Sequence, residues 1–289
     1  MIIHRLEPQG FCKGVIMAID IAKKSVTDKN IKKPIYMLGA LIHNEHIINE
    51  LKDLGIIIID DKNKTRLELL DLINDNCGTV IISAHGASDL VYKKIKEKGL
   101  DLIDATCPYV KLVHEKIAKK IKDGYDILYI GAKGHPECEG VITNSDKIHL
   151  ITSSNIIDSC INNDKIYATN QTTLSIYEID NIYNKIKELY PNTIIDNKIC
   201  DATTKRQKAV YESPLVDLLI VVGDSRSSNT KKLNDVGIKK GLKTLLIEDV
   251  NQIIDYDFNN INSIAITSGA STPSYIVDEI IEYVKKVRP

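Results

Sequence analysis

Asp101-Leu102-Ile103-Asp104-Ala105-Thr106-Cys107-Pro108 decides how this chain is read. Asp101 to Asp104 is strand-like, and Pro108 suits the first turn of a helix, where its missing N–H is not needed. A cysteine stands at the joint. The same succession occurs twice more: Ile2 to Leu6 precedes Cys12 and a helix from about Gly14 to Val26, and Thr193 to Asp196 precedes Cys200 and a helix starting near Thr203. Cys12 and Cys107 are 95 residues apart, Cys107 and Cys200 are 93 apart, and 89 residues follow Cys200.

Other features keep this register. Within each third an apolar run ends in glycine and a polar residue follows four positions later: Ile35 to Gly39 leads to His43, Ile127 to Gly131 to His135, and Leu219 to Gly223 to Ser227. A later run again enters a polar loop: Val80 to Ser83 reaches His85, Ile166 to Thr169 reaches Thr172, and Ile264 to Thr267 reaches Ser271. Between them lie Ile56 to Ile59, Ile148 to Ile151 and Lys243 to Ile247. Alternating strand and helix with internal repetition predicts three small α/β units, 1–106 with the N-terminal strand, 107–199, and 200–289 with a C-terminal helix. The last third lacks a final strand, and Ile2 to Leu6 could fill that place and close the ring.

Composition is that of a globular enzyme, 43% hydrophobic and 27% charged. A formal net charge of −1 offers no polybasic surface, so neither nucleic acid nor an anionic membrane is expected as partner. No run approaches the roughly 18 apolar residues that would span a bilayer, and the first residues do not have the pattern of a signal peptide. The expectation is a cytoplasmic chain, where thiols stay reduced and cysteines at special positions are ligands or nucleophiles rather than disulfides.

No Cys-x-x-Cys pair occurs among the six cysteines, which excludes the usual zinc-ribbon and ferredoxin spacings. Three isolated thiolates brought together by pseudo-threefold repetition suit a cubane iron–sulfur cluster with one iron free of protein ligands. Cys77, Cys138 and Cys160 break the register and read as small core residues. His43, His85, His135, the Ser227-Ser228-Asn229 run and Ser271 occupy equivalent loops around the same centre. With partly protonated imidazoles they would bind a compact, strongly anionic ligand such as a diphosphate. Ser228, Asn229 and Thr272-Pro273 also look like helix-start residues, and exposed N–H groups there favour anions. Neither a P-loop nor a dinucleotide fingerprint is present, so a nucleotide is not indicated. Glu137, two residues past His135, is the acid–base candidate, with Gln171-Thr172-Thr173 to relay or orient its proton, while Glu139 has no role in this scheme. The zinc-deaminase signature fails, because His135-x-Glu137 has no downstream Pro-Cys-x-x-Cys.

Taken in order, Phe11-Cys12-Lys13-Gly14, His43-Asn44, Ser83-Ala84-His85-Gly86, Asp104 to Pro108, Gly134-His135-Pro136-Glu137, Gln171 to Ser175, Ser227-Ser228-Asn229 and Gly269-Ala270-Ser271 resemble the 4-hydroxy-3-methylbut-2-enyl diphosphate reductases. These are the terminal enzymes of the non-mevalonate isoprenoid pathway. Each motif alone is weak; eight in order over nearly the whole chain are specific. Cys138 stands where an aliphatic residue is expected.

The resemblance implies a three-lobed α/β trefoil around a [4Fe–4S] cluster held by Cys12, Cys107 and Cys200. It further implies that the substrate hydroxyl meets the open iron, that His43, His85, His135, Ser227, Ser228, Asn229 and Ser271 hold the diphosphate, and that Thr172 and Glu137 handle protons. Electrons would come from ferredoxin or flavodoxin. Quinolinate synthase also gathers three cysteines in a threefold α/β assembly, but its motifs are different. A non-enzymatic electron carrier or iron sensor would have no use for Glu137 or an anion-binding ring.

Overall fold

Parallel strands covered on both faces must be apolar along their whole length, and the central runs of this chain are. The computed structural model describes residues 1–61, 63–74, 76–153, 161 and 163–287. β1 (Ile2–Arg5) leads into α1 (Lys13–Thr27). Then come β2 (Ile35–Leu38), α2 (Glu45–Asp53), β3 (Ile56–Ile59), α3 (Arg66–Asp71), β4 (Thr79–Ile82), α4 (Asp89–Glu97) and β5 (Asp101–Asp104). The second unit carries α5 (Pro108–Lys122), β6 (Asp126–Ile130), α6 (Pro136–Ile142), β7 (Ile148–Ile151), β8 (Ile166–Asn170), α7 (Ile179–Leu189) and β9 (Ile194–Asp196). The third carries α8 (Asp201–Glu212), β10 (Leu218–Val222), α9 (Ser228–Lys239), β11 (Thr244–Ile247), β12 (Ser263–Ser268) and α10 (Ser274–Val287).

These strands form three four-stranded sheets of equivalent order, β3-β2-β4-β5, β7-β6-β8-β9 and β11-β10-β12-β1. Every pairing is parallel. β1 pairs with β12 in the register Ile2 to Ser263, so the N-terminal strand completes the third sheet rather than the first, and the ring closes as the missing final strand required.

Alternate residues of the central strands feed separate cores on the two faces of each sheet. Met37 and Ile81 pack with Ala18 and Ile19 of α1, whereas Leu38 and Val80 pack with Leu69 of α3 and Val91 of α4. The second sheet divides in the same way between α7 and α5, and the third between α10 and the α8–α9 pair. In each sheet the strand order reverses between its two central strands. Ligands of open α/β sheets bind at the carboxyl ends beside such a reversal, and the loops after β2 and β4, β6 and β8, and β10 and β12 are those holding His43 and His85, His135 and Thr172, and Ser227 and Ser271.

The glycines closing the first run of each third are matched by a shared bond: Gly39, Gly131 and Gly223 donate to the carbonyls of Ile59, Ile151 and Ile247 at 2.9, 3.0 and 2.8 Å. A side chain is barred at two of them. A Cβ on Gly131 would lie 2.3 Å from Cys138 Sγ, and one on Gly223 would lie 2.6 Å from Thr272 Oγ1.

Candidate active site

Cys12, Cys107 and Cys200 are the N-caps of α1, α5 and α8, and none of the three spends its side chain on a capping bond. Their backbones are held alike. The N–H of Cys12 donates to Ala270 O at 3.1 Å, that of Cys107 to Ala84 O at 3.0 Å, and that of Cys200 to Thr172 O at 3.0 Å. Each cysteine is thereby tied to the polar loop of the neighbouring strand in its sheet. Side-chain acceptors shape two of the approaches: Asp104 Oδ1 accepts from Thr106 N at 3.0 Å, and Asn197 Oδ1 from Ile199 N at 3.0 Å.

All three thiols line one cavity of about 650 Å³, together with Phe11, Gly14 and Arg206. Gly14 admits the crowding there, since its Cβ would stand 2.6 Å from Cys107 Sγ. Burial pushes the Cys107 and Cys200 thiols up, against the pull of N–H groups at the helix starts. Among the described residues no three His, Cys, Asp or Glu side chains stand close enough to grip one metal ion. Three thiols spread around a shared cavity, with their capping role vacant, fit a body larger than one ion. Of the off-register cysteines, Cys138 is buried with Sγ 3.4 Å from Gln171 Oε1. Cys77 is exposed, contrary to the core position expected, because the turn before β4 carries it on the surface. Cys160 lies outside the described residues.

The three expected histidines meet. Ring centroids of His43 and His85 are 5.4 Å apart, and those of His85 and His135 are 5.6 Å apart. His43 Nδ1 and His85 Nδ1 are buried without a partner, as are both polar atoms of the Asn229 amide. Buried polar atoms are normally bonded, so these orphans mark a place where a polar ligand would complete the site. Ser271 Oγ donates to His43 O at 3.2 Å, and Ser228 Oγ lies 3.0 Å from Thr173 Oγ1. The cap of α9 is Ser227, which accepts from Thr230 N; Ser228 and Asn229 lie inside the first turn rather than capping it.

The charge state expected for this ring needs correction. Desolvation holds all three imidazoles below their ordinary value, His135 at about 3, and Arg66 adds to the effect at each. Desolvation thus favours histidines that are neutral donors and acceptors, and the fixed positive charge comes from elsewhere. Arg66 supplies part of it. This side chain is 5% exposed and lines a cavity of about 450 Å³ with His43, His135 and Ser228. Its Nη2 donates to Ser83 Oγ at 2.9 Å, its backbone N–H donates to Glu139 Oε1 at 2.6 Å, and Nη1 is 3.7 Å from Glu139 Oε2.

Glu139, to which the sequence assigned no role, is thus the partner of a buried cation. Sequence reasoning missed both residues. The capping box Thr65-x-x-Glu68 announces a helix at Arg66, but nothing local shows that its first residue turns inward to a carboxylate 73 positions away.

Glu137 is 1% exposed, on the first turn of α6, whose cap is His135 accepting from Glu137 N at 3.1 Å. Its Oε1 accepts from Thr172 N at 2.8 Å and from the Tyr129 hydroxyl at 3.3 Å, while Oε2 is 2.9 Å from Thr172 Oγ1. Burial outweighs these bonds and raises the carboxyl to about 7. With Oε1 occupied by two donors, the acid's proton belongs on Oε2, facing the Thr172 hydroxyl. Gln171 braces the same loop, accepting from Ala132 N at 3.0 Å and donating to Thr173 Oγ1 at 2.7 Å.

The site therefore joins a cysteine cavity, an incomplete polar ring and a buried acid. Comparison with known proteins agrees with it. The family model described as LytB protein matches residues 3–285. A 4-hydroxy-3-methylbut-2-enyl diphosphate reductase of Lysinibacillus sphaericus is 43% identical over 98% of this chain and 88% of its own. One of Geobacillus kaustophilus is 42% identical over 100% and 92%. Among solved structures, the E-1-hydroxy-2-methyl-but-2-enyl-4-diphosphate reductase of Plasmodium falciparum is 33% identical, with a TM-score of 0.87 over 100% of this chain and 88% of that one. A second structure, of the enzyme described as terminal in the non-mevalonate pathway, is 29% identical with a TM-score of 0.66 over 99% and 100%. No helix among the described residues is long and apolar enough to cross a membrane. The chain belongs to the LytB family, the 4-hydroxy-3-methylbut-2-enyl diphosphate reductases.

Proposed function

We propose that this chain reduces 4-hydroxy-3-methylbut-2-enyl diphosphate to isopentenyl and dimethylallyl diphosphate, using a [4Fe–4S] cluster on Cys12, Cys107 and Cys200. Family membership implies an iron–sulfur cofactor, and three thiols around one cavity, none of them capping its helix, support the cluster type and its ligands. When bound, such a cluster supplies electrons one at a time and an iron able to act as a Lewis acid. The overall change consumes two electrons and two protons, releases the allylic hydroxyl as water and leaves a C–H bond in its place.

The observation carrying this proposal is the buried acid at Glu137, bonded to Thr172 on the loop whose carbonyl holds Cys200. Near pH 7 a carboxyl with this affinity is partly protonated, as a proton donor must be. Glu137 Oε2 passes its proton to Thr172 Oγ1, and the threonine hydroxyl gives its own to the departing oxygen. The second proton reaches carbon after Glu137 is recharged. His43, His85, His135, Ser227, Ser228, Asn229 and Ser271 bind the diphosphate through polar atoms that in part lack partners without it. Covered by this ring, the reacting end is kept from bulk water.

A small acidic electron carrier of the ferredoxin or flavodoxin class is the reductant in this scheme, and the enzyme works in the cytoplasm. The test is anaerobic: iron and sulfide are counted, the visible spectrum is recorded before and after substrate, and products are assayed with a chemical reductant. Iron and sulfide near four each, a spectral change on substrate addition and isoprenoid diphosphate products are expected. Quinolinate formation, or a cluster unmoved by the substrate, would refute the assignment.

A further inference from the structure

Arg206 lies on α8, six residues past Cys200, and the residue as a whole is only 2% exposed. Nη1 donates to Ala202 O at 3.1 Å and Nη2 to Gly10 O at 2.7 Å, while Nε has no partner. Among the described residues no carboxylate reaches ion-pairing distance of it. Glu7, the one carboxylate whose field acts on it, is exposed and bonded to Arg5 Nε at 3.1 Å. Arginine heads ordinarily extend to water, and a buried guanidinium without a counter-charge is strongly unfavourable.

The groups able to supply that counter-charge are the three cysteines of the cavity. Arg206 lines the same space as Cys12, Cys107 and Cys200. Once deprotonated, as ligands of a cluster must be, Cys12 and Cys200 are the groups whose charge acts on it most strongly. Its bond to Gly10 also ties the loop before Cys12 to the helix behind Cys200, so the charge is fixed in place relative to two of the three thiols. Arginine does not give up its proton in proteins, so the charge persists at every working pH.

We infer that Arg206 is the fixed counter-charge of the cysteine centre and sets its reduction potential higher than the thiolates alone would. Reduction adds one negative charge to a cluster, and a cation held beside it in a poorly polarisable interior favours the reduced state. The inference rests on the iron–sulfur reading given above. Arg206 acts here through the cofactor and is not assigned contact with substrate.

The test compares wild type with Arg206→Lys and Arg206→Gln after anaerobic reconstitution. Iron and sulfide are counted, and the midpoint potential is titrated by visible absorbance and by the paramagnetic signal of the reduced cluster. A loaded Gln variant should titrate at a clearly more negative potential, and the Lys variant should stay near wild type. A loaded Gln variant at the wild-type potential overturns the inference, because a purely structural arginine would not move this quantity. Should the Gln variant hold no iron, the Lys variant decides: full loading at the wild-type potential supports the role, whereas a lower potential or an empty site despite the retained charge refutes it. A wild-type chain that binds neither iron nor sulfide would remove the iron–sulfur reading itself.

Discussion

Thr172 and Glu137 are joined twice, by the Thr172 N–H to Oε1 at 2.8 Å and by the hydroxyl against Oε2 at 2.9 Å. The backbone bond fixes the direction of the carboxyl, and the side-chain bond gives its proton one exit. Since Thr172 O also accepts from Cys200 N at 3.0 Å, one residue connects the acid to the cysteine centre.

Loss of the acid's proton should therefore limit the rate. Turnover is expected to fall as pH rises through about 7, where Glu137 ionises. Glu137→Gln should lower turnover by about 10² or more, with that alkaline limb gone and the cluster spectrum kept. Anaerobic pH–rate profiles with a strong chemical reductant check this, and rapid turnover by the variant would end the proton-donor role.

The desolvated imidazoles make a different statement about binding. A bound diphosphate would raise the depressed values of His43, His85 and His135. Binding should then take up protons and tighten as pH falls, with the gain lost as pH rises through the values of the bound state. His43→Asn or His85→Asn should weaken binding roughly ten-fold or more. Calorimetry with inorganic diphosphate in two buffers of unlike ionisation heat measures both effects; heats that do not depend on the buffer would contradict the first.

Arg66 carries charge that the histidines do not. Arg66→Gln should weaken diphosphate binding roughly ten-fold, and more evenly across pH than a histidine variant, because a guanidinium does not titrate in this range. Glu139→Gln leaves the cation in place while removing the carboxylate that competes for it, so affinity should hold or rise. Affinity losses of equal size in both variants would show that the pair matters only for the local fold.

The cysteines should divide into two classes. Ser at position 12, 107 or 200 is expected to abolish or strongly deplete the cluster, whereas Cys77→Ser, Cys138→Ser and Cys160→Ser should leave it largely intact. Iron and sulfide analysis after anaerobic reconstitution decides. If one of the latter three proves indispensable, the threefold assignment is wrong.

Gly14→Ala asks about space rather than ligands. Its new Cβ would stand 2.6 Å from Cys107 Sγ, so the thiol or the first turn of α1 must move. A lower cluster content with secondary structure retained is expected, measured by iron analysis beside circular dichroism; full occupancy would show that the wall of the cavity yields.

Local pattern was enough for the strands, for the repetition and for the loops that gather the cysteines and histidines. Apolar runs of four or five residues ending at glycine can only be buried parallel strands when helices cover both faces, and β2, β6 and β10 are such strands. The recurrence of Cys12, Cys107 and Cys200 after strand ends identified the centre, because carboxyl ends in α/β folds are where loops gather. Even the closure of the ring by β1 followed from counting strands.

Charge, burial and partnership belonged to the tertiary structure alone. Whether an imidazole is protonated depends on the water that packing removes, which no motif records, and here desolvation made the three histidines neutral. The Arg66–Glu139 pair joins residues of different units, and Arg206 reaches Gly10 from the far end of the chain. Such contacts depend on how three sheets close against one another, and a sequence read in windows holds no term for distances between windows. The sequence by itself determined which loops meet at the centre; only the closed fold brought Arg66 and Arg206 to it and decided where charge and protons sit there.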